Sequence, residues 1–181
     1  MIVAAFFLLL PVTSATTGMA AENNPPGFQG RQFPFTILKP PQAAPGAPLY
    51  TLKGGVTSLR RYRGKVVLLN VWATWCAACL HEMPSLDRLQ AKLGGDGFSV
   101  VSLSVDEGGA EKVLPYLKRL KIKNLPQYLD PAGRTATALG VAEGLPWTFL
   151  INPQGRVMGY MKGAADWESP AARKLIRYYG G

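Results

Sequence analysis

One continuous apolar run and several shorter patterns along the chain predict a sheet with buried central strands. Residues 66–72, VVLLNVW, contain a single polar residue, Asn70, which is typical of a strand covered on both faces. The other strand candidates are residues 98–105, 127–129, 147–151 and 156–161. The last two flank an Asn-Pro-Gln-Gly turn and therefore predict a β-hairpin.

Helical spacing of apolar residues follows the first strand and recurs later in the chain. From Cys76 to Leu93 the apolar positions fit one face of a helix, although Pro84 should kink or locally reset it. Further helices are predicted at residues 110–120, at 134–139, and from Pro170 to about Tyr179 behind a Ser169 N-cap. Strands that alternate with helices predict an α/β fold.

The first 48 residues differ from the rest in composition. Residues 1–21 carry no charged side chain, and their apolar run ends in small residues, which is typical of a secretory signal. We expect this segment either to be cleaved or to remain as an anchor of a periplasmic protein. Residues 22–48 are Pro-rich and predict a linker, in which the alternation of Phe33, Phe35 and Ile37 could add an edge strand. Residues 49–181 then form the predicted domain.

Composition narrows the class of protein. With 181 residues, 48% apolar and 17% charged, the chain has enough apolar sequence for one globular core and is neither disordered nor fibrous. The net charge of +9 favours a solvated basic surface, although such a surface can also attract acidic partners or anionic lipid. No basic stripe with interleaved aromatic residues is present, so we expect no nucleic-acid binding and, without a dimerisation segment, a monomer.

The chain contains only two cysteines, Cys76 and Cys79, at the predicted junction of the first strand and its helix. Exported proteins that use disulfides for stability usually carry several separated pairs, and a pair this close closes the least stabilising kind of loop. A thiol in the first turn of a helix faces unpaired N–H groups that favour its thiolate. We therefore predict a redox pair in which Cys76 attacks and the more buried Cys79 resolves the mixed disulfide.

Two closely spaced cysteines can also bind a metal ion. Zinc usually needs three or four protein ligands, and only His81 stands near the two cysteines, so no metal and no cofactor are predicted. A carrier that binds Cu(I) through two thiolates stays open as an alternative. The spacing also leaves the direction of electron flow open, so a dithiol oxidase or isomerase is an alternative to a reductase.

Beyond the cysteine pair, the sequence resembles the TlpA family of exported thioredoxin-fold proteins, which is related to ResA. The resemblance is nearly continuous over residues 64–84, GKVVLLNVWATWCAACLHEMP, and extends over roughly residues 49–179. Further matching segments are residues 104–106, 140–141, 144–146, 149–151 and 165–167.

The resemblance implies a thioredoxin-like α/β fold: a central mixed sheet flanked by helices, with a strand–helix insert between the cysteine helix and a cis-proline. It implies that Pro146 is this cis-proline and that Leu145-Pro146 presents backbone to the substrate. From the residues alone, Pro146 would be an ordinary trans turn proline. Glu82 is implied to tune proton transfer at the cysteines, although it could also be a surface acid near a helix N-terminus. Trp75 is implied to border the exposed sulfur.

The resemblance also implies a reductase that is recharged by a membrane thiol carrier. Its clients would be exported proteins with paired cysteines, such as apocytochrome c or copper-site assembly proteins. Two departures from the family pattern bear on this. Asn70 replaces the buried aspartate of ordinary thioredoxins, which leaves Glu82 as the nearest proton acceptor. Trp147 replaces a small hydroxyl residue after Pro146 and is expected to narrow the substrate groove.

Overall fold

The computed structural model describes residues 24–180, so the predicted secretory signal, residues 1–21, lies outside it. The strands are β1 (Thr36–Ala43), β2 (Leu49–Thr51), β3 (Val56–Thr57), β4 (Val66–Trp72), β5 (Phe98–Ser104), β6 (Gln127–Leu129), β7 (Trp147–Ile151) and β8 (Arg156–Lys162). The helices are α1 (Ala77–Leu93), α2 (Gly109–Arg119), α3 (Arg134–Ala138) and α4 (Pro170–Gly180), besides a short 3-10 helix at Leu59–Tyr62. Among these helices, none is long and apolar enough to cross a membrane.

All eight strands belong to one mixed sheet in the order β1-β8-β7-β4-β5-β6-β2-β3. β4, β5 and β6 are parallel, whereas β7 lies antiparallel to β4 and is followed by the antiparallel β8. The register pairs Trp72 at the end of β4 with Ser104 at the end of β5. The loops after these two strands therefore leave the sheet side by side, and the second loop can support the first.

β4 is the centre of the core because every one of its residues is buried. Its alternating side chains reach two separate apolar clusters, one on each face of the sheet. Leu68 and Trp72 pack with α1 and α4, while Leu69 and Val71 face the second cluster with Phe149. Two covered faces explain why this strand is an almost unbroken apolar run in the sequence.

The predicted central elements agree with the structure, and the chain before them shows a difference. The edge strand expected around Phe33, Phe35 and Ile37 lies later, at Thr36–Ala43, where it pairs antiparallel with β8. The segment before this strand packs on the domain, because Phe28 and Phe35 are both buried. The Phe28 ring lies 5.0 Å from the Trp167 ring, centroid to centroid. Part of the predicted linker thus contributes to the same core as α1 and α4.

We predict that Phe28→Ala lowers the free energy of unfolding by about 3 kcal/mol, the usual cost of removing a buried phenyl ring. Urea unfolding followed by tryptophan fluorescence measures the change. The matched control is Phe33→Ala, because Phe33 is 44% exposed. Substitution of an exposed side chain should lower the free energy of unfolding by well under 1 kcal/mol. Equal stability losses in the two variants would contradict the packing of residues 24–35 as described.

Candidate active site

Cys76 and Cys79 lie where the chain passes from β4 into α1. Cys76 is the N-cap residue of α1, and its sulfur accepts a hydrogen bond from the backbone N–H of Cys79 at 3.1 Å. The two cysteines form a disulfide, with their Cα atoms 5.3 Å apart. Because the first N–H groups of a helix have no partners within the helix, this sulfur sits where a developing thiolate is stabilised.

The two cysteines differ in exposure. Cys76 is 7% exposed and Cys79 is fully buried, so an incoming sulfur reaches Cys76 first. Trp75, directly before Cys76, has 70% of its surface exposed. A large apolar side chain therefore lies in solvent next to the more exposed cysteine. Exposed apolar side chains of this kind are typical of surfaces that contact a partner.

The loop before Cys76 is held by Asp106, a residue to which the sequence analysis gave no role. The Asp106 carboxylate accepts the backbone N–H of Thr74 at 2.9 Å and the Thr74 hydroxyl at 2.7 Å. It also accepts the Ser104 hydroxyl at 2.8 Å. The side-by-side ends of β4 and β5 bring these groups together. An acid two residues after a buried parallel strand was the sequence signal that could have revealed Asp106.

Glu82 lies one turn after Cys79 on α1 and is 3% exposed. Its Oε1 atom accepts the indole N–H of Trp167 at 2.6 Å and the backbone N–H of Ala165 at 3.3 Å. Its Oε2 atom is buried and has no hydrogen-bond partner within residues 24–180. Of the two expectations for Glu82, a surface acid is therefore wrong. The sequence analysis did not identify Trp167 as a hydrogen-bond partner of Glu82, although residues 165–167 were among the segments that match the family.

Burial raises the pKa of Glu82 from 4.5 to about 7, because the surrounding core disfavours the charged form. The two hydrogen bonds from Ala165 and Trp167 and the positive charge of Arg31 act in the opposite direction. A cleft of about 220 Å³ lies against Glu82 and has Arg31 and Asp166 among its lining residues. A carboxyl group with such a pKa and one free oxygen can take up and release a proton near neutral pH.

Pro146 follows a cis peptide bond after Leu145, as the resemblance implied and not as an ordinary trans turn. The Pro146 carbonyl accepts the backbone N–H of Gly163 at 2.8 Å. Leu145 is half-buried, and neither its N–H nor its C=O makes a hydrogen bond to the rest of the described chain. An unpaired N–H and C=O on one residue can pair with an extended backbone.

The structure places Asn70 and Trp147, the two departures from the family pattern, on opposite faces of the sheet. The Asn70 side chain is buried and donates to the Thr148 hydroxyl at 2.9 Å, and an amide at this place cannot accept a proton. The Trp147 ring belongs to the cluster on the sheet face opposite to the cysteines. The expectation that Trp147 narrows the groove at the sulfurs is therefore wrong, because alternation along β7 turns its side chain away.

A zinc site with His81 would require further ligands near the cysteine pair. His81 is exposed on α1, and the two cysteine sulfurs are bonded to each other. Across residues 24–180, no three side chains of the His, Cys, Asp and Glu types lie together as a metal site would need. What these residues form is a disulfide with a buried acid one helical turn away.

Comparison with known protein families and structures agrees with this geometry. The model of the AhpC/TSA family matches residues 40–159. The thiol-disulfide oxidoreductase ResA of Bacillus thuringiensis subsp. konkukian is 34% identical over 120 residues, which cover 66% of this chain and 68% of that protein.

Two solved structures have the same fold. A candidate thiol:disulfide interchange protein DsbE from Chlorobium tepidum superimposes with a TM-score of 0.69 at 30% identity, covering 78% of this chain and 97% of that one. The exposed lipoprotein thioredoxin Etrx1 of Streptococcus pneumoniae gives a TM-score of 0.63 at 28% identity, covering 73% and 98%. These comparisons confirm the resemblance to exported thioredoxin-fold proteins related to ResA, and they confirm the predicted thioredoxin-like fold.

The raised pKa of Glu82 predicts a specific pH dependence of stability. Below pH 4.5 the Glu82 carboxyl is protonated in both the folded and the unfolded chain, and its neutral form suits the core. As pH rises from 4.5 to about 7, ionisation favours the unfolded chain, so stability falls by on the order of 3 kcal/mol. In Glu82→Gln this part of the pH dependence should vanish, as urea unfolding of the oxidised protein across this range would measure.

Glu168→Gln is the control, because the pKa of Glu168 is shifted in the opposite direction to that of Glu82. Hydrogen bonding to Lys92, with further contributions from Arg88, lowers the pKa of Glu168. Its stabilising effect is therefore present above the pKa of the unfolded chain and is lost as pH falls. A Glu82→Gln profile that still declines like the parent between pH 4.5 and 7 would show that another group causes the decline.

Proposed function

The chain belongs to the AhpC/TSA family of thioredoxin-fold proteins, and on that premise we propose that it is an exported thiol–disulfide oxidoreductase that reduces client disulfides. The observation that carries this proposal is the Cys76–Cys79 disulfide at the start of α1, with the free oxygen of buried Glu82 one turn away. Relatives named thiol-disulfide oxidoreductase support the type of reaction.

In the first step, reduced Cys76 attacks one sulfur of the client disulfide as its thiolate. An S–S bond forms between Cys76 and the client while the client's own S–S bond breaks, and the second client sulfur leaves as a thiolate that takes up a proton. Two features support Cys76 as this nucleophile: its N-cap position with the Cys79 N–H donating to it, and its greater exposure.

In the second step, the Cys79 thiolate attacks the Cys76 sulfur and the Cys76–Cys79 disulfide forms. The S–S bond between Cys76 and the client breaks, and the client sulfur that Cys76 had bound leaves as a thiolate that takes up a proton. Cys79 is buried, so it needs a nearby base to lose its proton. We assign this role to Glu82, which lies three residues further along α1 and keeps Oε2 free to accept the proton. Its raised pKa of about 7 suits proton transfer in both directions near neutral pH.

The client would lie along the turn that contains Leu145 and Pro146. The unpaired N–H and C=O of Leu145 support antiparallel pairing with an extended client segment next to its cysteine. Trp75, largely exposed beside Cys76, would cover the other side of the client. Both residues therefore act as client-binding groups in this proposal, and the sulfur chemistry stays with the cysteine pair.

The proposed compartment rests on the N-terminal sequence, and the proposed partners rest on the family resemblance. The apolar segment 1–21 supports export to the periplasm, where a reductase needs electrons from a membrane thiol carrier. The expected clients are exported proteins with paired cysteines, of the apocytochrome c or copper-site assembly type.

Two cysteine variants test the division of labour. Cys76→Ser should abolish disulfide exchange, because the remaining thiol is buried. Cys79→Ser should still attack clients but leave the mixed disulfide unresolved, so adducts accumulate. Non-reducing electrophoresis with mass spectrometry of the trapped partners detects both outcomes, and the double variant controls for unspecific adducts. Undiminished exchange by Cys76→Ser would refute its role as nucleophile.

The direction of electron flow is tested by the reduction potential of the Cys76–Cys79 pair, measured by equilibration with dithiothreitol or glutathione buffers. A reductase should give a value near or below that of thioredoxin, about −270 mV. A value near −120 mV, as in the oxidant DsbA, would mean that the protein oxidises its partners. That result would replace the reductase by a dithiol oxidase on the same site.

A further inference from the structure

We propose that Trp147 is a positioning residue, which holds the Gly144–Pro146 turn in the shape that pairs with the client backbone. The inference rests on the proposed function, because it concerns how that site receives an extended protein substrate. The sequence analysis expected Trp147 to narrow the substrate groove, and the structure contradicts that position. The proposal gives this residue a different role. Trp147 acts from the sheet face opposite to the cysteines and needs no contact with either sulfur.

The contact that carries the proposal is a hydrogen bond from the Trp147 indole N–H to the Gly144 carbonyl, 2.8 Å long. Trp147 is the first residue of β7, and its backbone is paired with Val71 on one side and Lys162 on the other. A side chain on a fixed strand position thus reaches back across the turn. The turn includes Gly144, whose φ of +78° is one that residues with a side chain rarely adopt.

The other end of the turn is held as well. The Pro146 carbonyl accepts the Gly163 N–H at 2.8 Å, in continuation of the pairing between β7 and β8. Between Gly144 and Pro146, Leu145 keeps both of its backbone groups without a partner inside the described structure. The turn is therefore held at both ends while the residue that would pair with a client is left free.

The indole itself has little freedom to move. It is 8% exposed, and its ring stacks on Phe149 with a 17° interplanar angle and 6.0 Å between centroids. The Tyr160 ring lies 5.1 Å away, and the Lys162 ammonium lies 5.6 Å from the Trp147 ring centroid. Because these neighbours belong to the sheet, the hydrogen bond transmits the position of the sheet to the turn.

A prepositioned turn lowers the ordering cost of pairing with an extended client, whereas a small disulfide gains nothing from it. Loss of the indole N–H should therefore weaken the use of peptide clients and leave the chemistry at the sulfurs unchanged. A purely structural role of Trp147 would instead slow the reaction with both kinds of substrate or shift the reduction potential.

The test compares Trp147→Phe with the parent protein, both as reduced full chains. Phenylalanine keeps the aromatic stack and removes the N–H donor. One substrate is a peptide closed by a single disulfide with four-residue extended flanks, and the other is 5,5′-dithiobis(2-nitrobenzoic acid). We expect the KM for the peptide to rise about three- to tenfold, the factor typical of one lost hydrogen bond. The rate with the small disulfide and the reduction potential should stay unchanged.

Tyr160→Phe is the matched control, because it alters the same aromatic cluster and its hydroxyl makes no hydrogen bond within residues 24–180. It should leave all three measurements at the parental values. Amide exchange at Gly163, whose N–H donates to the Pro146 carbonyl, should be faster in Trp147→Phe only. If Trp147→Phe fails to fold, Trp147 is replaced by 3-benzothienylalanine, which keeps the shape of the indole and lacks the N–H donor.

An unchanged peptide KM in Trp147→Phe, or an equal slowing with both substrates, would overturn the positioning role while the proposed function stands. A parent protein that reacts with the small disulfide but with no peptide disulfide would overturn the proposed function, and this inference with it.

Discussion

The burial of one carboxyl group beside the cysteine pair is the constraint on which the surrounding structure depends. Glu82 projects from α1 into the core, where a charge is costly unless other groups bond to it. The chain meets this requirement with donors from far along the sequence, the Trp167 indole and the Ala165 backbone. Phe28 packs on the same Trp167, so the N-terminal segment helps to hold the acid's partner in place. Only one carboxylate oxygen accepts hydrogen bonds, so the other is available for the proton transfer proposed above.

Asp106 shows the contrasting use of a buried acid. Its carboxylate accepts three hydrogen bonds from Thr74 and Ser104, and it thereby ties the loop before Cys76 to the neighbouring strand. A carboxylate whose oxygens are occupied in this way serves as a structural anchor. Both oxygens of Asp106 accept hydrogen bonds, whereas Glu82 accepts through Oε1 alone. Of the two acids, only Glu82 therefore has an oxygen available for the proposed proton transfer.

Much of this arrangement could be predicted from the sequence. The apolar run of β4 and the helical spacing of α1 are local patterns, so the cysteine pair could be placed at their junction without a structure. The partners of Glu82 could not, because its hydrogen bonds span 83 and 85 residues of chain and no local pattern encodes such contacts. The direction of the Trp147 side chain depends on sheet register, which a dipeptide after a proline does not reveal. The short strands β2 and β3 were missed because their length gives no periodicity.

The alternation of side chains along β7 explains how one strand supports the site from two directions. Thr148 points to the face of the cysteines and accepts the Asn70 amide, while Trp147 and Phe149 point to the other face. A shift of the strand by one residue would exchange these faces and remove both contacts together. The pairing of Trp147 with Val71, near the end of β4, therefore also fixes where the turn before β7 lies relative to the loop that leads to Cys76. The loop to Cys76 leaves β4 after Trp72, and Leu145 lies two residues before β7. The hydrogen bonds between these two antiparallel strands therefore bring the loop to Cys76 and the turn at Leu145 to the same end of the sheet.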